Sequence, residues 1–145
     1  MKNAGYEFKE HTADVQVKSW GSTLEEAFSQ TAYSLMATIS PKLENITPSI
    51  EKRIRIKAED KEALLFDFLS EFLFIFDVEE LIFCYINVLK IKRLNEKYEL
   101  EAIMKGEKFD KQKHEIGTEV KAITYSYMSI EEKKKEIEIN VVFDI

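Results

Sequence analysis

Alternation of apolar and polar positions sets in at Asp14. Val15 and Val17 fall on one face and Gln16, Lys18 and Trp20 on the other, which predicts a half-buried strand. The period then changes. Ser22 followed three residues later by Glu25 reads as a capping box. Leu24, Ala27, Phe28, Thr31, Ala32, Leu35 and Ile39 recur at helical spacing until Pro41 stops the helix. The stretch SPKLENITPS carries both prolines and is too short for an interdomain linker. Alternation returns in IEKRIRIKA (50–58), with Ile54, Ile56 and Ala58 facing in and Arg53, Arg55 and Lys57 facing out. Asp60 is placed to cap a second helix, KEALLFDFLSEFLFIFDVE. Its Leu64, Leu65, Phe68, Leu69, Phe72, Leu73 and Phe76 make most of the circumference apolar and predict deep burial. The remainder reads as strands at about 81–92, 97–105, 119–130 and 136–143, with the run Lys133–Lys135 at the last hairpin turn.

Strand, helix, strand, helix and then a run of strands predicts an α+β fold: a mostly antiparallel sheet with two helices packed on it. A chain of 145 residues fits one domain, 1–145. Composition is 45% hydrophobic and 33% charged, with 4 Gly and 2 Pro, which excludes a disordered chain. The 21 Lys+Arg against 27 Asp+Glu leave a net charge of −6. That balance argues against strong direct nucleic-acid binding and favours an acidic surface for a basic protein. Cys84, the only cysteine, sits in LIFCYINV and is expected to pack as a small hydrophobe. The N-terminal MKNAGYEFKEH has no apolar signal core, and the apolar stretch 63–76 is broken by Asp67, Ser70 and Glu71. It also falls short of the ~20 residues a membrane span needs. An intracellular, cytoplasmic protein with no membrane partner is expected, nuclear being an alternative in a eukaryote.

The chemistry is sparse. There is no glycine-rich phosphate loop, no GxSxG, no HExxH and no cysteine pair, and only two histidines, His11 and His114. The carboxylates offer more. In the terminal EIEINVVFDI, Ile137, Ile139, Val141 and Phe143 take one face, and Glu138, Asn140, Val142 and Asp144 the other. Asp144 is followed by Ile145 alone, so its side chain neighbours an α-carboxylate. If this strand ran beside the one from Asp14, three oxygen-bearing groups would converge. Such hard donors favour Ca²⁺, Mg²⁺ or Mn²⁺ over Zn²⁺. The same pattern also accommodates Asp14 as a turn residue and solvated terminal carboxylates.

Several blocks in order resemble the archease family: YEFKEHTADVQVKSWGSTLEEAF, KEALLFDFLSEFLFIFD, GEKFDKQKH followed by VKAITYSYM, and the terminal VVFDI. The resemblance implies an accessory protein rather than a catalyst. Its partner would be the RtcB-type RNA ligase of tRNA splicing, which works through a guanylylated histidine with GTP and Mn²⁺. The accessory would promote that guanylylation and multiple turnover. Some members are linked instead to a tRNA cytosine methyltransferase, as a chaperone-like modulator. The family's metal site, for calcium with magnesium or manganese as alternatives, maps onto Asp14, Asp144 and the carboxylate of Ile145. His11 and Thr12 belong to the same motif, and Lys121 is the matching basic residue, contacting either the partner or a nucleotide or balancing the carboxylates. Many members carry a histidine where this chain has Ser126. A metal-dependent hydrolase using Asp14 and Asp144 is the enzymatic alternative.

Overall fold

Each α-helix begins where a side chain supplies the acceptor that a free backbone N–H of its first turn lacks. The computed structural model describes residues 3–9 and 14–145. In chain order these form β1 (Gly5–Lys9), β2 (Asp14–Gly21), α1 (Leu24–Ile39), β3 (Ile50–Ala58), α2 (Lys61–Glu79), β4 (Leu81–Leu94), β5 (Lys97–Lys108), β6 (Ala122–Glu132) and β7 (Ile137–Asp144). Asp60 caps α2 as expected, its Oδ1 accepting from the Ala63 N–H at 2.7 Å. The α1 box is displaced by one residue. Thr23 Oγ1 accepts from the Glu26 N–H at 3.1 Å, and Glu26 Oε1 accepts from the Ser22 N–H at 2.7 Å. Glu25 is engaged elsewhere: its Oε2 accepts from the Ile91 N–H of β4 at 3.0 Å.

The fold is α+β with every strand pair antiparallel, and the strands divide into two sheets ordered β1-β2-β7-β6 and β3-β5-β4. Each helix packs on the face of one sheet and against the edge strand of the other. Helix α1 lies on β2 and β7 and along β4; α2 lies on β3 and β5 and along β6. The α1–β4 contact is a ladder of side chains. Met36 Sδ, Tyr33 Oη, Ser29 Oγ and Glu25 Oε2 accept from the N–H groups of Phe83, Ile86, Val88 and Ile91, at 3.3, 2.9, 3.0 and 3.0 Å. Positions 25, 29, 33 and 36 share one helix face, so a single stripe satisfies donors that an edge strand would otherwise leave bare.

Between these layers Phe28, Phe68, Phe72, Phe83 and Phe143 are fully buried. Phe72 meets Phe68 and Phe83 edge-on, at 5.2 and 5.8 Å between ring centroids. Helix α2 buries one stripe rather than most of its circumference: Phe74 and Val78 are 59% and 63% exposed. Cys84 is half-buried against the core. Among the described residues no helix is long and apolar enough to cross a membrane.

Candidate functional site

Strands β2 and β7 pair from Asp14↔Asp144 to Gly21↔Ile137, which sets the two aspartates directly opposite each other at the sheet's end. Residues directly opposite share a face, with Cβ atoms about 4.5–5.5 Å apart, and like charges so placed are destabilising without a cation near them. Ala122 pairs with Asp144 from the other side, and Ile145 follows at once. Asp14 and Ile145 both line an open cleft of about 800 Å³. Its remaining walls are Phe8 and Lys9 of β1, the end of α1 and the segment Gly117–Thr118.

That segment is held by the last turn of α1. The Gly117 N–H donates to the Ile39 carbonyl at 2.9 Å, and the Thr118 N–H to Thr38 at 2.8 Å. Ser40 Oγ donates to the Glu115 carbonyl at 2.9 Å. Helix-end carbonyls that would lack partners are thereby satisfied. The approach is so close that a Cβ at position 117 would lie 2.2 Å from the Thr38 oxygen, so only glycine fits.

The donor set suits a hard divalent cation. Asp14 and Asp144 supply carboxylate oxygens on one face, and water or main-chain oxygen can complete a flexible oxygen shell. Among the described residues no three His, Cys, Asp or Glu side chains converge, so side chains alone would offer a cation no more than this pair. His11 and Thr12 lie outside the described residues.

The profile of the archease protein family (MTH1598/TM1083) matches residues 6–145. The chain belongs to the archease family. An archease of Pyrococcus furiosus is 44% identical over 126 residues, covering 87% of each chain. The solution structure of protein 1598 of Methanobacterium thermoautotrophicum superposes with a TM-score of 0.83 at 30% identity, covering 97% of this chain and 99% of that one. The crystal structure of an archease of Thermotoga maritima, described as a possible chaperone, gives 0.59 at 25% identity and 94% of both chains.

In this archease Lys121 is tied to the aspartate pair through its backbone, its N–H donating to the Asp144 carbonyl at 2.8 Å. Its side chain belongs elsewhere. Ala122 shares the face of Asp144, so Lys121, one position earlier, lies on the other face. There it lines a second cleft, of about 400 Å³, with Leu73, Phe76 and Asp77 of α2. No ion pair joins it to a described carboxylate.

His114 is buried and structural. Its Nδ1 accepts from the Asp110 N–H at 2.9 Å, so the proton resides on Nε2, which donates to Glu107 Oε2 at 2.9 Å. That oxygen also accepts from the Thr47 N–H and from Lys113 Nζ, each at 2.7 Å. The hydrogen bond from Lys113, helped by those from Thr47 and His114, holds the Glu107 carboxyl down at about 2.

Sequence reading missed β1 and the Gly117–Thr118 wall. The alternation of Tyr6 and Phe8 was a signal for β1, although only five residues long. Gly117 makes its close approach to the end of a helix 78 residues earlier (117 − 39), with no local pattern to announce it.

Proposed function

We propose that this archease is a non-catalytic activator of an RtcB-type RNA ligase in tRNA splicing, acting in the cytoplasm or nucleus. Family membership supports an accessory role, and the observation that carries the reading is the pairing of Asp14 with Asp144, with Asp14 lining an open cleft. Asp14 and Asp144, with Ile145, would hold a divalent cation through hard oxygen donors. A cation there supplies positive charge that attracts phosphate oxygens. The chain's own residues fix that charge at the rim of a cleft, where a partner's nucleotide-bearing site can reach it. His114, the one histidine among the described residues, has both ring nitrogens engaged in holding a loop and is not free for acid–base work.

The test is RNA joining under limiting ligase, using halves that bear a 2′,3′-cyclic phosphate and a 5′-hydroxyl. The expected result is that the protein alone joins nothing and hydrolyses no GTP, while the ligase passes from about one product per enzyme to many when the protein is added. Unchanged ligase turnover, or intrinsic hydrolysis lost in Asp14→Ala, would overturn the reading.

A further inference from the structure

The outer side of α2 and the neighbouring edge of β6 form a surface that the site described above does not use. Asp67, Ser70, Phe74, Asp77 and Val78 recur at helical spacing and share one outward face of α2. Of the large apolar side chains exposed among the described residues, Phe74, Val78, Ile116, Tyr125 and Tyr127 lie on α2 or on the loop and strand beside it. Ile116 joins Leu73, Phe76 and Asp77 in the second cleft, and Tyr125 stacks on Phe66 of α2 with ring centroids 4.4 Å apart.

Strand β6 is built to present its tyrosines. Thr124 pairs with Val142 and Ser129 with Asn140, so four residues, 125–128, stand opposite Val141 alone. The bulge is fastened at both ends: Thr124 Oγ1 donates to the Val142 carbonyl and Asn140 Nδ2 to Ser129 Oγ, each at 3.2 Å. Tyr127, within it, has a left-handed backbone (φ 57°) and is 78% exposed. A bulky side chain held in that conformation is strained, and such strain gathers at working surfaces. An exposed tyrosine on a fastened bulge has the chemistry of an interface anchor.

Charge indicates what fits. Helix α2 carries five carboxylates and one lysine. Its last turn has no basic residue, although Asp77 and Glu79 stand at the negative end of the helix dipole. Glu79 is paired with Lys52 at 2.7 Å, while Asp77 is at the cleft. An apolar, aromatic centre edged by Asp67, Asp77 and Glu119, which outnumber the one lysine of the cleft, Lys121, complements a protein surface with apolar anchors and a basic rim.

We propose that this α2–β6 face is the docking surface for the RNA ligase, through a basic, apolar-centred patch on that enzyme. The proposal rests on the accessory reading above and adds where the partner sits. The second cleft receives an apolar side chain from the ligase, with Asp77 at its rim to meet a lysine or arginine. Because the two clefts share Gly117 and Thr118, a ligase docked here is adjacent to the cleft that Asp14 and Ile145 line.

The experiment is equilibrium binding of the full-length chain to an RtcB-type ligase of the same organism, by interferometry at 50 and 500 mM salt, with sedimentation of the chain alone. The variants are Tyr127→Ser, Phe74→Ser and the double reversal Asp67→Lys with Asp77→Lys, each checked by circular dichroism. Tenfold or greater weakening in Tyr127→Ser and in the double reversal, with the salt dependence of the wild type lost in the latter, is the expected result. Wild-type binding that both variants match within twofold would overturn the surface and leave the accessory reading standing. Self-association of the wild type through this face without ligase binding would assign it to a second copy and overturn the proposal. A wild type that neither binds nor activates the ligase would overturn both.

Discussion

Three donors converge on one oxygen of Glu107, and the sign of their effect on stability follows from its lowered pKa. The folded value, about 2, lies below the roughly 4.3 of an unfolded glutamate. The contribution is therefore fully present above about pH 5 and is lost as pH falls from there through 2. Glu107→Gln keeps the shape but removes the charge. It is expected to cost about 1.5–3 kcal/mol at pH 7, the range for hydrogen bonds to a charged group. The difference from wild type should close as the pH approaches 2, read from denaturant melts across that range. A constant difference at every pH would show that the carboxylate charge is not what holds the 43–49 and 110–117 loops.

At the scale of elements, the α1–β4 ladder matters most for folding. Ser29 is buried, donates to the Glu25 carbonyl at 2.9 Å and accepts from the Val88 N–H. Ser29→Ala leaves that buried N–H without its acceptor, a loss of about 1–3 kcal/mol. Exchange of the Val88 amide, followed by NMR, should quicken out of proportion to the global loss; protection that falls only with global stability would count against the ladder. Such ladders are hard to read in advance. The bounds of α1, β3 and α2 followed from period, caps and Pro41, because those signals are local. Glu25 looked like a capping residue because nothing nearby showed that Ile91 would claim it, and Glu26 was free for the cap. The outward Phe74 and Val78 likewise vanish into an apolar run that reads as burial all round. The strand expected from about 119 begins at Ala122, where pairing with β7 starts, which leaves Lys121 just before it.

For the molecule as a whole, the pairing of β2 with β7 brings together residues from opposite ends of the chain, and it is this long-range register that makes Asp14 and Asp144 partners. The alternation in each strand told which face each aspartate would take, and only the pairing told that the two faces meet. The second sheet stands apart from that register and serves the site indirectly: β5 positions Glu107, which with His114 anchors the loop leading to Gly117. On the function proposed above, the paired carboxylates serve ligase activation rather than folding. The most direct measurement is product formed per ligase, under limiting ligase, with wild type or with Asp144→Asn at saturating concentration. Asp144 is exposed and its carbonyl, not its side chain, accepts from Lys121, so the variant should melt close to wild type. The folded variant is expected to return the ligase to about one product per enzyme; turnover equal to wild type would show that the carboxylate pair is not what activates it.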